Sequence, residues 1–222
     1  MVGERTAGGA FGDGVVLHIV GAGGHGRVVL DAARSMGVFA DALFVDRDPA
    51  LAGTMVMGAL VLGDALPAPG PGVALFCAIG LDNARRLALV QEWCAAGYAV
   101  PALVHAAAWV SPYAELGPGV AVMAQAAVQA GARVGAAAIV NTGACVDHDC
   151  DIGPGAHLAP GVHLSGNVTI GARTLMGTGS CAIQGRAVGR DCVVGAGAAV
   201  VRDIPASRQA CGVPAKSVKI LK

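Results

Sequence analysis

The sequence predicts two units of different kind: a small parallel α/β domain over residues 15–105, then a parallel β-helix of six-residue repeats over 106–222. Three observations carry this. Short apolar runs alternate with helix-spaced segments as far as about residue 100. A glycine-rich GAGGHG joins the first apolar run to the first helical one. From Val110 to Val200 an aliphatic or similarly apolar residue recurs at every sixth position without a slip.

Residues 1–14 contain no apolar core of a signal peptide and read as a loose, glycine-rich tail. VVLHIV (15–20) is a short apolar strand, and HGRVVLDAARSMG has helical spacing with Gly37 as its stop. DALFVD (41–46) and ALFCAIG (74–80) read as further strands. LDNARRLALVQEWCAAG reads as a helix capped near Asp82 or Asn83 and ended at Gly97. Strand–helix alternation implies a parallel sheet, with the domain boundary near residue 106.

The ladder then runs Val110, Leu116, Val122, Val128, Val134, Val140, Val146, Ile152, Leu158, Leu164, Ile170, Met176, Ala182, Val188, Val194 and Val200. Two residues before each rung stands a second small or aliphatic side chain, with Arg186 as the clear violation. One inward aliphatic per short strand and turn is the mark of a β-helix, and three such hexads close one triangular coil. Gly117, Gly135, Gly153, Gly171, Gly177, Gly189 and Gly195 follow their rungs directly, where turns with φ > 0 are expected. The spacing leaves the handedness open.

Composition removes several classes of function. Fifteen basic residues balance 15 acidic ones, so no surplus charge is available for a nucleic-acid backbone. The uncharged run 93–114 approaches bilayer length but contains Gly97, Pro101, His105 and Pro112, which argues against membrane insertion. Seven cysteines without paired metal spacing fit a reducing, cytoplasmic setting.

Gly21, Gly23 and Gly26 form a GxGxxG pattern that also contains Gly24 and His25, and Asp46 ends the next strand, giving a Rossmann-like context. Free N–H groups at the helix start can cradle phosphate, and Asp46 can accept from a ribose or base. The chain enters the β-helix after little more than one half of a dinucleotide fold. One nucleotide therefore fits better than NAD; the rival reading is an NAD-binding protein with a β-helix used for trimerisation.

Within IVNTGACVDHDCDIGPG, His148 falls on a turn with Asp149 beside it, a general base with an orienting carboxylate. Gly166 lies three hexads on, one coil away, where its N–H is available to a developing oxyanion. His157 is half a coil from His148, on another side of the prism, so one shared site requires different subunits of a threefold assembly. A zinc site from His148, His157 and His163 is disfavoured because these positions do not converge within one chain. Cys150 reads as core; Cys145 is undecided between core and an acyl carrier.

Taken together, the GAGGHG loop, the ladder, NTGACVDHDCDIG, HLAPGVHLSGNVTIG and the terminal GVPAK resemble the bacterial left-handed β-helix sugar O- and N-acetyltransferases. The resemblance implies a left-handed coil and a homotrimer, with acetyl-CoA between adjacent coils, no metal, and a nucleotide-linked amino sugar anchored by the N-terminal domain. It implies His148 as general base with Asp149 as partner, and Asn141 and His157 as polar site residues, His157 on the acetyl-CoA side. Gly166 matches a backbone donor to the thioester carbonyl, and Gly212, Pro214 and Lys216 fall near the coenzyme. Asp46, Arg47 and Asp48 stand where relatives read the base. The expected reaction is N-acetylation of a UDP-, GDP- or dTDP-linked 4-amino sugar for surface glycans. O-acetylation of a sialic acid-type sugar is the alternative.

Overall fold

The computed structural model describes residues 14–221, so the expected tail, apart from Gly14, lies outside the described residues. The first domain runs β1 (Val16–Val20), α1 (Gly24–Met36), β2 (Asp41–Val45), β3 (Met55–Val56), β4 (Ala59–Leu62), β5 (Val73–Cys77) and α2 (Asn83–Ala95). Its sheet has the order β3-β4-β2-β1-β5, parallel except for the β3–β4 hairpin. Helix α1 stops where Gly37 takes φ 65° and returns its N–H to the Arg34 carbonyl. Helix α2 starts where the Asp82 carboxylate accepts the Arg85 N–H. Both ends agree with the expected caps. The hairpin was not foreseen, although its signal is local: Met57 and Gly58, at φ 50° and 75°, form the two-residue turn between alternating runs.

From Leu103 onward the chain coils as a left-handed parallel β-helix, its first rung, Leu103–Val104, lying just before the expected boundary. Every third rung pairs in register, so residues three hexads apart stack: Cys145 on His163 and His157 on Leu175. The first face holds Leu103, Ala121, Ile139, His157, Leu175 and Val193 outward. It closes with an added C-terminal hairpin, Arg208–Cys211 and Lys216–Ile220. The second face presents Trp109, Ala127, Cys145, His163, Cys181 and Ala199, and the third Glu115, Arg133, Asp151, Thr169 and Ala187. The inward rows pack as one continuous core from Val120 to Ala210. Truncating one of its larger aliphatics to alanine costs about 2–5 kcal/mol.

The expected role of the rung-following glycines needs correction. None of Gly117, Gly135, Gly153, Gly171, Gly177, Gly189 and Gly195 has positive φ. What excludes a side chain there is the next coil: a Cβ on Gly117 or Gly135 would lie 2.7 Å from the backbone nitrogen of Ala136 or Pro154. The left-handed conformation falls two residues later, at Gly119, Gln125, Gly131, Ala137, Gly143, Asp149, Gly155, Gly161, Asn167 and Arg173. Arg186, the break in the small-residue row, is half-buried, with its Nη1 3.6 Å from Asp203.

The N-terminal domain sits on the first face. Leu103, Ala121, Met123 and Ile139 belong to the same buried cluster as β1, β2, β5 and α1. This contact decides which coil residues meet the glycine loop.

Candidate active site

His148 occupies the turn between the second and third faces, its side chain 50% exposed. Asp149 stands in the left-handed position at φ 57°, a conformation that short polar side chains tolerate better than most. From there its Oδ2 lies 2.8 Å from His148 Nδ1. The carboxylate fixes the proton on Nδ1 and leaves the Nε2 lone pair outward, as a base requires. This hydrogen bond is the main cause that raises the His148 pKa above its ordinary value; desolvation opposes it, and the charges of Asp147 and then Asp149 add smaller raising effects. The Asp149 carboxylate therefore reaches the imidazole beside it.

Two glycines on neighbouring coils make room for the pair. A Cβ on Gly166 would collide with Cε1 and Nε2 of His148, and one on Gly131 would collide with Oδ1 of Asp149. Among the described residues the Gly166 N–H has no hydrogen-bond partner, so it is available as a donor one coil from the imidazole.

A second constellation lies on the first face, against the N-terminal domain. His157 is 5% exposed, and its Nε2 is 3.1 Å from Asn141 Nδ2. Because Asn141 Oδ1 accepts the Thr142 N–H, the amide donates to Nε2 and the ring carries its proton on Nδ1. That atom is buried without a partner in hydrogen-bond geometry. Burial first, then the charges of Arg86 and His25, pushes the His157 pKa down to about 4, against a smaller raising influence of the Gly80 carbonyl. His25 is likewise held near 4 by burial and then Arg86. Its ring rests on Gly80, where a Cβ would lie 3.4 Å from Cγ, and its Nε2 is also unpartnered. Both rings are neutral at pH 7. The family resemblance implies Asn141 and His157 as site residues, but nothing in the sequence shows His25 joining them.

Around the glycine loop, Gly21 needs its φ of 108°, and a side chain on Gly26 would strike the Gly21 carbonyl oxygen and the Phe44 ring. Gly23 and Gly24 face open space, and α1 begins without a side-chain cap, which leaves the helix start open to an anion. Asp46 is tied down more than expected: Oδ2 accepts the Ala22 N–H at 2.8 Å and Oδ1 the Asp48 N–H at 3.0 Å. It anchors the glycine loop to the end of β2. Asp48 accepts from Ala50, and Arg47 is exposed.

Below this constellation an open cleft of about 530 Å³ runs from Leu81 and Asn83 across Leu175 and Val193 to Arg173 and Asp191. Gly212, Pro214 and Lys216 form the turn into the last strand at the far end of the coil, where Ala215 donates to Ala199 O. They lie three to four rungs beyond His157, or roughly 14–19 Å at the usual strand spacing.

The three histidines of the zinc reading separate as expected: His148 on a turn, His157 on the first face and His163 exposed on the second. Among the described residues no group of three His, Cys, Asp or Glu is placed to hold a metal ion. Cys150 is core, 1% exposed, with its thiol donating to Ser165 O. Cys145 points outward on the second face, half-buried, and burial followed by the Asp147 charge pushes its thiol pKa up, against a nucleophilic role.

A β-helix carrying an exposed histidine–carboxylate pair, with half of a dinucleotide fold docked on one face, defines an acyltransferase of the hexapeptide-repeat class. Residues 16–93 match the PglD N-terminal domain family. The acetyltransferase domain of PglB from Neisseria gonorrhoeae FA1090 is 39% identical with a TM-score of 0.86, over 91% of this chain and 99% of that one. It has also been solved in complex with acetyl coenzyme A. PerB from Caulobacter crescentus, solved in complex with CoA and GDP-perosamine, is 44% identical with a TM-score of 0.84, over 93% and 98% of the two chains. WeeI from Acinetobacter baumannii AYE is 26% identical with a TM-score of 0.82, over 92% and 100%. The chain belongs to the family of bacterial β-helix sugar acetyltransferases.

Proposed function

We propose that this protein transfers the acetyl group of acetyl-CoA to the 4-amino group of a nucleotide-linked amino-dideoxy sugar, a GDP-linked one first among the candidates. The observation that carries the reading is the His148–Asp149 pair, with an unblocked Nε2 and the free Gly166 N–H beside it. The likeness to a relative solved with GDP-perosamine and CoA supports the acceptor class.

The reaction is direct. The sugar amine attacks the thioester carbonyl carbon, and His148 Nε2 takes the amine proton while the Gly166 N–H steadies the oxyanion. The C–S bond then breaks, and CoA leaves as the thiol, taking up a proton. The imidazolium formed is stabilised by Asp149. Glycine-loop N–H groups hold the diphosphate, Asp46 keeps that loop in place, and Arg47 and Asp48 stand at its rim for the base. The open cleft over Leu175 and Val193 is a surface suited to part of the extended arm of CoA, and Gly212, Pro214 and Lys216 stand apart from it at the second-face end of the last rungs.

A homotrimer completes the site. His148 lies on the prism edge opposite the first face, whereas His25, Asn141 and His157 gather on that face. One chain does not bring them together; the edge of one protomer set against the first face of its partner does. The second face borders that edge, and its Ala127, Cys145 and Cys181, small and only half-buried, suit such packing. Both substrates belong to the cytoplasm, and seven free cysteines fit that placement. No helix of the described residues is long and apolar enough to cross a membrane.

The test is release of CoA thiol from acetyl-CoA with UDP-, GDP- and dTDP-linked 4-amino sugars beside free sialic acid. Turnover with one nucleotide amino sugar supports the reading. Turnover with sialic acid alone replaces it with O-acetylation, and silence with tight NAD binding overturns it.

A further inference from the structure

Arg86, in the first turn of α2, is 1% exposed and forms no ion pair among the described residues. A buried cation without a counter-ion is expensive unless its donors are all satisfied. Here they are. Nε donates to Ala137 O at 2.8 Å, Nη1 to Ile79 O and Gly80 O at 2.9 and 3.0 Å, and Nη2 to Asn83 Oδ1 and Gly155 O at 2.9 and 2.8 Å.

The geometry of these partners is specific. Ala137 and Gly155 occupy the left-handed position of successive turns on the edge between the third and first faces, and Asn83 Nδ2 takes the next carbonyl down, Arg173 O, at 2.9 Å. Asn83 and Arg86 thus both tie α2 to the coil. What Arg86 adds is the link from that edge to the Ile79–Gly80 loop, and Gly80 is the seat of the His25 ring and the carbonyl nearest His157.

We propose that Arg86 is the positioning residue that seats His25 and His157 by fixing the Ile79–Gly80 loop against the coil, and that His157, placed on the acetyl-CoA side by the resemblance, serves the acceptor because it stands with His25 of the glycine loop and outside the cleft. This rests on the acetyl-transfer reading above. Lysine has three donors on one nitrogen and cannot reproduce the planar five-donor fork. The other ionisable groups near the guanidinium are Cys77, Asp82 and Arg85.

The experiment compares Arg86→Met and Arg86→Lys in the intact chain by thermal melting, by NMR titration of the labelled imidazoles, and by KM for each substrate. In Arg86→Met the His25 and His157 midpoints should rise from about 4 toward the ordinary value. The acceptor KM should rise roughly tenfold or more, while the acetyl-CoA KM stays within about twofold. Arg86→Lys should keep the midpoints low and still raise the acceptor KM, a split that loss of stability alone does not produce. Unchanged acceptor KM in either folded variant, or equal rises in both KM values, overturns the proposal, as does failure of both variants to fold. Should the wild-type chain transfer no acetyl group, the acetyl-transfer reading falls by that result. The seating of the imidazoles is then decided by their NMR chemical shifts in Arg86→Lys, where the charge is kept, with shifts of His25 and His157 unchanged from wild type overturning it.

Discussion

Gly166→Ala isolates the geometry of the proposed base. Gly166 does not have positive φ, so alanine meets no backbone penalty there. Its methyl would instead press on the His148 ring, 3.0 Å from Cδ2 and closer still to Cε1 and Nε2. Restoring ordinary van der Waals separation moves the ring by about 1 Å. The ring is half exposed and has room to retreat. The melting temperature should therefore hardly change, since surface substitutions typically shift stability by only about 0.5 kcal/mol or less. Catalysis has no such latitude. A displacement of about 1 Å in a reacting group costs roughly 10²-fold, or about 2.7 kcal/mol of transition-state stabilisation. The assay is CoA thiol release with the best acceptor, at saturating concentrations of both substrates, beside a thermal melt. A folded Gly166→Ala enzyme whose kcat stays within about threefold of wild type would refute the placement of the reaction at this imidazole.

Other consequences are open to direct test. His148→Gln should lower kcat by about 10²–10⁴-fold with little effect on melting. Because the Asp149 contact raises the His148 pKa, the base form appears only above that raised value. Asp149→Asn should shift the acidic limb of kcat/KM to lower pH while reducing the plateau. Gly135→Ala forces a methyl onto the backbone of the next coil and should cost about 1–3 kcal/mol, lowering the melting temperature by several degrees. Gly143→Ala, at φ 64° with nothing within 4 Å, should cost about 1–2 kcal/mol through the backbone alone. His25 and His157 are neutral in the fold down to about pH 4, whereas the unfolded chain takes up their protons below about 6.5. Their contribution is therefore full above pH 6.5 and lost as pH falls toward 4. Urea titrations at pH 7.5 and 5 should show the loss, and His157→Gln should flatten it.

Much of this was readable in the chain itself. A strict six-residue period leaves one solution for burying its aliphatic row, and the caps at Asp82 and Gly37 act through neighbouring residues. His148 and Asp149 are adjacent, so their contact is a local fact. What escaped depends on contacts between distant segments. Arg86 reads as an ordinary charge on a helix until the coil's carbonyls are placed around it. His25 and His157 belong to different domains, far apart along the chain, and meet only because the first face takes the N-terminal domain. Asp46 has the position of a ligand acceptor, but the backbone N–H groups of Ala22 in the glycine loop and of Asp48 take its oxygens first. The rung-following glycines were expected in the right places for the wrong reason: their need arises from the coil above or below, which periodicity alone does not weigh against local φ.

The edge that Arg86 and Asn83 grip gives the repeat a further meaning, because distance along this chain is also direction around an axis. A whole coil of three hexads inserted beyond Asp191 would lengthen the column and leave the imidazoles and their seat undisturbed. A single hexad inserted between Gly143 and Cys145 would instead carry everything after it a third of a turn around. His148 would then point from a different corner, and the α2 anchor would find a different edge beneath it. Length in this protein can vary by whole coils, while the bearing of each functional side chain is locked to the count of hexads that precede it.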